Sequence, residues 1–143
     1  TGGDRIRLLN RLHAEAEKGL AINPQEDGCH HLLGRWNRTI TNIGWLSKTW
    51  LRIFSGSFPQ ASGEHAIDHF KKAISINAND LSHYLELGKT YVYMEKWNEE
   101  GFEKVMTLPI VTKSDRKWQR DANNYLELLK TANYSELKDA VQE

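Results

Sequence analysis

The stretch GCHHLLGRW, residues 28–36, contains the residue types from which metal sites and nucleophilic sites are built. Cysteine thiolates and histidine imidazoles bind zinc, and a thiol beside an imidazole is a potential nucleophile. Cys29, His30 and His31 are consecutive in the chain. On a helix their side chains would diverge by about 100° from one residue to the next, whereas helical metal pairs use i, i+4 spacing. We therefore expect no metal, no cofactor and no catalytic residue in this stretch.

A second feature with chemical potential is a block that lacks acidic residues. Residues 28–63 contain no Asp or Glu, although the formal net charge of the whole chain is zero, and aromatic residues alternate there with basic ones. The candidate partner surface consists of Arg35, Arg38, Trp45, Lys48, Trp50, Arg52, Phe54 and Lys89. An exposed surface of this kind would suit an anionic partner. The alternative is that the aromatic residues pack over the N-terminal helices and stabilise the fold.

An internal repeat indicates the structure that positions these residues. The segment LAINPQEDGCHHLLGR, residues 20–35, aligns with ISINANDLSHYLELGK, residues 74–89, at an offset of 54. The alignment pairs His30 with Tyr84, Gly34 with Gly88, and Arg35 with Lys89. A second alignment at an offset of 34 continues from residues 84–91 to residues 118–125. A period of 34 residues is that of tetratricopeptide (TPR) repeats, so the first unit is interpreted as a repeat with an insertion of 20 residues.

The repeat predicts which side chains pack between helices. Small residues allow two helix backbones to approach closely, and large residues fill the space between neighbouring pairs. The predicted packing residues are Leu33, Gly34, Ala66, Phe70, Ala73, Tyr84, Leu87, Gly88, Tyr91, Trp118, Ala122 and Tyr125. Glu100 falls where a small residue is expected, so we expect Gly101 to take its place.

The predicted fold is an all-α, TPR-like α-solenoid of helix–turn–helix repeats with one elongated helix or insertion. It forms a single domain over residues 1–143, with repeat-like units at about 4–24, 27–78, 81–112 and 115–143. The predicted helices are 4–22, about 26 to beyond 50, 63–77, 80–95, 97–107, about 113–132, and a short one from about 135. Predicted N-caps are Asp4, Ser62 and either Thr112 or Ser114.

Composition narrows the functional classes. The neutral net charge gives no reason to expect a nucleic acid partner. The single cysteine excludes an internal disulfide and suits a reducing compartment. No apolar run approaches the roughly 20 residues of a transmembrane helix. The chain begins TGGDR, without Met, so we expect a fragment of a longer protein.

Three segments, GLAINPQEDGCHHLLGRW, AIDHFKKAISINAND and LPIVTKSD, resemble the regulator of microtubule dynamics (RMD) proteins. The resemblance covers roughly residues 12–131. It implies a TPR-like fold, association with microtubules and spindles for some members, and a cytoplasmic, cytoskeletal location. The alternative location is at mitochondria, where the full-length protein would be peripheral or anchored. For a mitochondrial outer-membrane member that tethers the endoplasmic reticulum, it implies phospholipid binding by the TPR-like domain. The N-terminal anchor of that member has no counterpart in this sequence.

The residues and the resemblance together predict a non-catalytic interaction module that associates with tubulin or microtubules. One alternative is a module that binds or transfers anionic phospholipids at organelle contact sites. A second alternative is a structural oligomerisation module. The sequence leaves these alternatives open, because the same basic and aromatic residues would serve each of them.

Overall fold

The computed structural model describes residues 2–42 and 60–142, and within these residues every regular element is a helix. The helices are α1 Gly2–Ile22, α2 Asp27–Asn42, α3 Gly63–Ile76, α4 Leu81–Tyr93, α5 Glu100–Thr107, α6 Lys113–Lys130 and α7 Tyr134–Ala140. The all-α prediction is therefore confirmed. The predicted continuation of the second helix beyond Asn42, with Trp45, Lys48, Trp50, Arg52 and Phe54, lies outside the described residues.

Helix α4 contacts five other helices, more than any other helix of the described chain. Neighbouring helices pack against each other from α1 to α2 and from α3 through α7, and α2 also packs on α3. In addition, α4 contacts α2, α6 and α7. Helices α2 and α4 therefore each meet both the next helix in the chain and the one after it, which is the packing expected when helical pairs stack in sequence.

Two turns recur at the repeat offset of 54. Each joins one helical unit to the next, at residues 23–26 and 77–80. The backbone amide that opens each turn donates to the carbonyl four residues earlier, Asn23 to Gly19 at 2.8 Å and Asn77 to Ala73 at 2.9 Å. The amide that closes each turn donates to the asparagine carbonyl, Glu26 to Asn23 at 3.2 Å and Asp80 to Asn77 at 3.4 Å. Both aligned segments thus fold into the same hydrogen-bonded turn.

A side-chain hydrogen bond recurs at the same offset. The His30 Nε2 lies 3.1 Å from the Pro24 carbonyl oxygen. The Tyr84 hydroxyl donates to the Ala78 carbonyl oxygen at 3.0 Å. His30 thus occupies the place that Tyr84 occupies in the next unit, although one residue is an imidazole and the other a phenol.

The aligned glycines lie against aromatic rings. A Cβ placed on Gly34 would lie 2.7 Å from the Phe70 ring, and one on Gly88 would lie 2.6 Å from the Phe102 ring. Gly101 faces backbone, because its Cβ would lie 2.9 Å from the Tyr84 carbonyl oxygen. At these three positions a side chain would push the neighbouring helix away.

Most of the predicted packing residues are buried. The buried ones are Leu33, Gly34, Ala66, Phe70, Ala73, Leu87, Gly88, Ala122 and Tyr125. Tyr84, Tyr91 and Trp118 are half-buried. The larger core cluster joins α4 to α7 around Phe102 and Leu137, and a smaller one joins α3 to α4 around Phe70.

The observed N-termini of the helices confirm two of the predicted N-caps and contradict one. The Ser62 hydroxyl accepts from the His65 amide at 3.0 Å, so this prediction is confirmed. Of the two alternatives for α6, Thr112 is the N-cap, and it forms a capping box with Asp115. The prediction for Asp4 is wrong, because α1 begins by Gly2 and Asp4 lies within its first turn. An acidic residue is also favourable there, beside the positive end of the helix dipole.

Candidate functional site

Three of the predicted surface residues, Arg35, Arg38 and Lys89, line one pocket of about 470 Å³, which we call the basic pocket. Its lining comprises Arg5, Arg35, Arg38, Thr39, Asn42, Glu86, Lys89, Tyr93, Val141 and Gln142. Helical register explains the convergence, because positions 35, 38, 39 and 42 share one face of α2 and positions 86, 89 and 93 share one face of α4. The packing of α2 on α4 brings the two faces together.

Glu86 is the acidic residue of this lining, and it is shared by two cations. Its Oε2 pairs with Arg38 Nη2, and its Oε1 lies 3.4 Å from Lys89 Nζ. Burial opposes the charged form of Glu86, but Arg38 and Lys89 outweigh it and lower the pKa of the carboxyl to about 2. Glu86 is therefore ionised throughout the physiological range and holds both cations inside the fold.

The Arg38 guanidinium is occupied by contacts within the chain. Besides the ion pair, Nη1 donates to the Glu86 carbonyl oxygen at 3.1 Å and to the Thr90 hydroxyl at 3.3 Å. Its guanidinium carbon lies 5.2 Å from the centre of the Tyr93 ring, within the range of a cation–π contact. Only 11% of the Arg38 side chain is exposed. It ties α2 to α4 and leaves little of its charge for a partner.

Arg5 and Arg35 differ from Arg38 because both are exposed at the pocket. Among residues 2–42 and 60–142, neither has an ion-pair partner. Four cations and one carboxylate line the pocket, which leaves a formal net charge of +3. The repeat alignment pointed to Arg35 and Lys89, but Arg5 and Glu86 were missed, since nothing local in the sequence connects them to Arg35.

The histidines of the opening stretch pair with histidines of other helices. His31 Nδ1 lies 2.9 Å from His83 Nδ1, and His83 Nε2 lies 2.9 Å from Asp27 Oδ2. The carboxylate accepts the His83 Nε2 proton, so His83 Nδ1 is the acceptor for the His31 Nδ1 proton. Burial lowers the pKa of His31 to about 4, so the His31 imidazole is neutral at pH 7.

His30 forms the second pair. Its Nδ1 lies 3.2 Å from His69 Nδ1 on α3, while its Nε2 faces the Pro24 carbonyl. The carbonyl can only accept, so the His30 proton is on Nε2 and His69 Nδ1 donates. Cys29 faces Gly19, whose Cβ would lie 2.5 Å from the Cys29 Sγ. Burial and the nearby Glu26 raise the pKa of the Cys29 thiol, the opposite of what a nucleophile requires.

One group of side chains has the spacing of a cation site that the sequence analysis did not anticipate. The ligand atoms of Asp27, Asp80 and His83 lie within 4.8 Å of one another. Asp27 Oδ2 already accepts from His83 Nε2 at 2.9 Å and from the Asn77 side-chain amide, Nδ2, at 3.1 Å. Asp80 caps α4 by accepting from the Ser82 amide at 2.8 Å. These hydrogen bonds account for the clustering as a connection between α2 and α4.

A second groove, of about 690 Å³, lies between α3, α4 and α5. It is lined by Lys71, Ile74, Tyr84, Leu87, Tyr91, Glu100, Gly101, Glu103, Lys104 and Thr107. Its two lysines and two glutamates balance, so it has no formal net charge. The two cavities thus differ in electrostatic character, and the basic pocket is the one suited to an anion.

Among the helices formed by the described residues, none is long and apolar enough to cross a lipid bilayer.

Comparison with known proteins identifies the family. The family model described as regulator of microtubule dynamics protein 1-3 matches residues 3–130. Regulator of microtubule dynamics protein 1 of Mus musculus is 26% identical over 129 residues, which are 87% of this chain and 42% of that protein. The protein of the same name from Caenorhabditis elegans is 25% identical over 126 residues, 87% of this chain and 56% of that protein.

Regulator of microtubule dynamics protein 3 of Bos taurus is 29% identical over 124 residues, 82% of this chain and 26% of that protein. This chain therefore spans between about a quarter and just over half of these relatives. Because the family model covers most of its residues, the chain belongs to the regulator of microtubule dynamics protein 1-3 family.

Proposed function

We propose that this chain is a non-catalytic, TPR-like module through which a longer protein associates with microtubules. The family and the names of its relatives support a role connected with microtubules. The recurring turns at residues 23–26 and 77–80 support the TPR-like interpretation and the unit boundaries drawn from the sequence. The location that follows from this function is the cytoskeleton, including the spindle.

The observation that carries the proposal is the basic pocket. A neutral chain gathers a formal charge of +3 in one concavity between α1, α2, α4 and the C-terminal end. The tails of tubulin are rich in acidic residues, and complementary charge both steers association and orients the partners. The described pocket lining has few apolar side chains, Val141 and Tyr93. An acidic protein surface therefore fits it better than a phospholipid, whose acyl chains would need an apolar wall.

The non-catalytic part of the proposal has its own support. His30 and His31 each direct a ring nitrogen to a histidine of another helix. The thiol of Cys29 has a raised pKa. Because the candidate nucleophile, Cys29, and the candidate bases, His30 and His31, are engaged in packing, we infer that the module acts by binding.

Cosedimentation with polymerised tubulin tests the proposal. The Arg5→Glu/Arg35→Glu variant reverses the two exposed charges of the pocket, and Arg116→Glu/Arg120→Glu reverses two exposed arginines on α6 as a matched control. We expect wild type and control to pellet with microtubules, with binding that weakens as salt is raised, and the pocket variant to remain in the supernatant. Equal pelleting of both variants would contradict the use of this pocket, and absence of wild type from the pellet would contradict microtubule association.

A further inference from the structure

We infer that the basic pocket is a receptor for an extended acidic peptide, in which Lys89 and Arg35 bind one side-chain carboxylate and Arg5 binds another. This inference deepens the proposed function and rests on it for the source of the peptide, which would be an acidic tubulin segment. The roles of the individual pocket residues follow from their burial and their pairing.

Lys89 is the residue that points to a ligand. Its side chain is only 10% exposed, although an ammonium group is costly to bury unless its charge is paired. The group has three N–H donors. In the described chain its ion pair is the 3.4 Å contact with Glu86 Oε1, which is long for a charge-assisted hydrogen bond. Lys89 therefore lines the pocket with donor capacity and positive charge that residues 2–42 and 60–142 leave largely unused.

Glu86 cannot neutralise the interior of the pocket by itself. Its one negative charge is divided between Arg38 and Lys89, and the Arg35 charge also acts on it. The Arg38 guanidinium donates hydrogen bonds to Glu86 and Thr90 of α4. Arg38 therefore serves as a positioning residue that fixes the Glu86 carboxylate beside Lys89. The unsatisfied charge is then carried by Lys89 inside the pocket and by Arg35 and Arg5 at its exposed edge.

The distribution of these cations favours a peptide over a compact anion. Arg5, Arg35 and Lys89 lie on three different helices, α1, α2 and α4, so the positive charge is spread around the cavity. A single phosphate cannot engage all of it, whereas successive carboxylates of an extended chain can. Asn42 and Gln142 add side-chain amides, which both donate to and accept from peptide groups. A cavity of about 470 Å³ has room for a short extended segment.

The test is the affinity of a fluorescein-labelled hexaglutamate peptide, measured by anisotropy at low salt. We expect Arg35→Gln and Lys89→Met each to weaken binding by about tenfold, and the matched control Arg116→Gln to leave it unchanged. Glu86→Gln removes the internal competitor and is expected to strengthen binding several-fold. That gain is a result that a merely structural role of Glu86 would not produce. Arg35 is exposed, so its variant tests the site even if Lys89→Met fails to fold.

Competition identifies the ligand class. Inorganic phosphate and vesicles of phosphatidylcholine with phosphatidic acid are added to the peptide complex at matched ionic strength. We expect neither to displace hexaglutamate more effectively than chloride does. Displacement by phosphate alone would replace the peptide with a small anion as the ligand, and displacement by vesicles with loss of vesicle binding in Arg35→Gln would replace it with a lipid headgroup. Either result overturns the inference.

The peptide assay and the microtubule assay separate the two proposals. Peptide binding that depends on Arg35 and Lys89, in a protein that does not pellet with microtubules, would overturn the proposed function and leave the peptide site intact. Microtubule binding that persists when peptide binding is absent, or is insensitive to Arg35→Gln and Lys89→Met, would overturn the peptide site and leave microtubule association intact.

Discussion

Gly88 is a residue at which the fold has no room for a single additional carbon atom. A Cβ there would lie 2.6 Å from the ring of Phe102, which is fully buried and packs on Tyr125 with ring centres 5.2 Å apart. We expect Gly88→Ala to lower the free energy of unfolding by about 1–3 kcal/mol, since the overpacking outweighs the better helix propensity of alanine. Urea unfolding followed by circular dichroism measures the change.

Gly28 provides the matched control for this prediction. It is an exposed glycine of α2, and the nearest atom to its Cβ would be Glu26 Oε1 at 3.6 Å. Gly28→Ala should leave the stability unchanged or raise it by up to about 1 kcal/mol. If both variants unfold at the wild-type urea concentration, the close approach of α4 and α5 at Gly88 is not a constraint on the fold.

His31 links the stability of the protein to pH. Burial is the main reason for its lowered pKa of about 4, with Glu86 and Asp80 opposing the shift and His83 and Arg35 adding to it. In the unfolded chain the pKa of His31 is near 6.5, so as the pH falls His31 is protonated in the unfolded chain before it is protonated in the folded one. The stability that depends on neutral His31 is therefore fully present above about pH 6.5. It is lost as the pH falls from 6.5 to 4, by at most about 3 kcal/mol.

His31→Asn tests this linkage, because an asparagine amide can donate to His83 Nδ1 but does not titrate. We expect the variant to lose part of the wild-type decline in unfolding free energy between pH 6.5 and 4. His65→Asn, at an exposed histidine of α3, is the control and should decline as wild type does. An identical pH dependence for His31→Asn and wild type would mean that His31 does not titrate at a perturbed pKa.

Glycine packing and histidine pairing differ in how far the sequence could predict them. The alignment of Gly34 with Gly88 is a local pattern, and the close approach at both follows from the repeat that it implies. The partners of His30 and His31 are 39 and 52 residues away, so their pairing depends on how α2 sits against α3 and α4. The spacing of Cys29, His30 and His31 within one helix argued against a shared metal ion, but it could not predict contacts with residues of other helices.

At the scale of elements, two helix starts have local signals in the sequence, whereas two helix ends have none. Ser62 and Thr112 are local capping signals that operate through a side chain and an amide three residues on. The C-terminal ends of α4 and α6 are instead followed by Glu95 and Ala132, which have positive φ angles of 55° and 52°. Glycine is the usual residue at such a position, so the sequence offered no signal there.

The end of α6 can be improved by supplying that glycine. The Asn133 amide donates to the Leu128 carbonyl at 2.9 Å, the bond that closes a Schellman motif around Ala132. We expect Ala132→Gly to raise the free energy of unfolding by about 1 kcal/mol, because glycine adopts positive φ without a Cβ clash. Ala78→Gly is the control at an exposed turn residue without positive φ, and it should be neutral or destabilising. Equal effects of the two substitutions would contradict strain at Ala132.

At the scale of the whole molecule, charge is arranged differently in the fold and in the sequence. The acid-free block of residues 28–63 predicted a partner surface for an anionic partner. In the structure, Arg38 of that block is neutralised by Glu86, which is 48 residues away. Arg5, from outside the block, joins Arg35 at the pocket. The sign of the candidate site was therefore predictable from composition, but its membership required the packing of α2 on α4.

The same ion pair couples two helices, because Arg38 belongs to α2 and Glu86 to α4. We expect Arg38→Met to lower the free energy of unfolding by about 3–5 kcal/mol, since it leaves a carboxylate that is 12% exposed with only the 3.4 Å contact to the Lys89 ammonium. The double variant Arg38→Met/Glu86→Leu removes both charges of the pair and should recover only part of that loss, because the Lys89 ammonium then lacks its Glu86 partner. Urea unfolding of both single variants and the double variant completes the cycle and measures the coupling energy. Additive effects would show that the pair contributes nothing to the packing of α2 on α4.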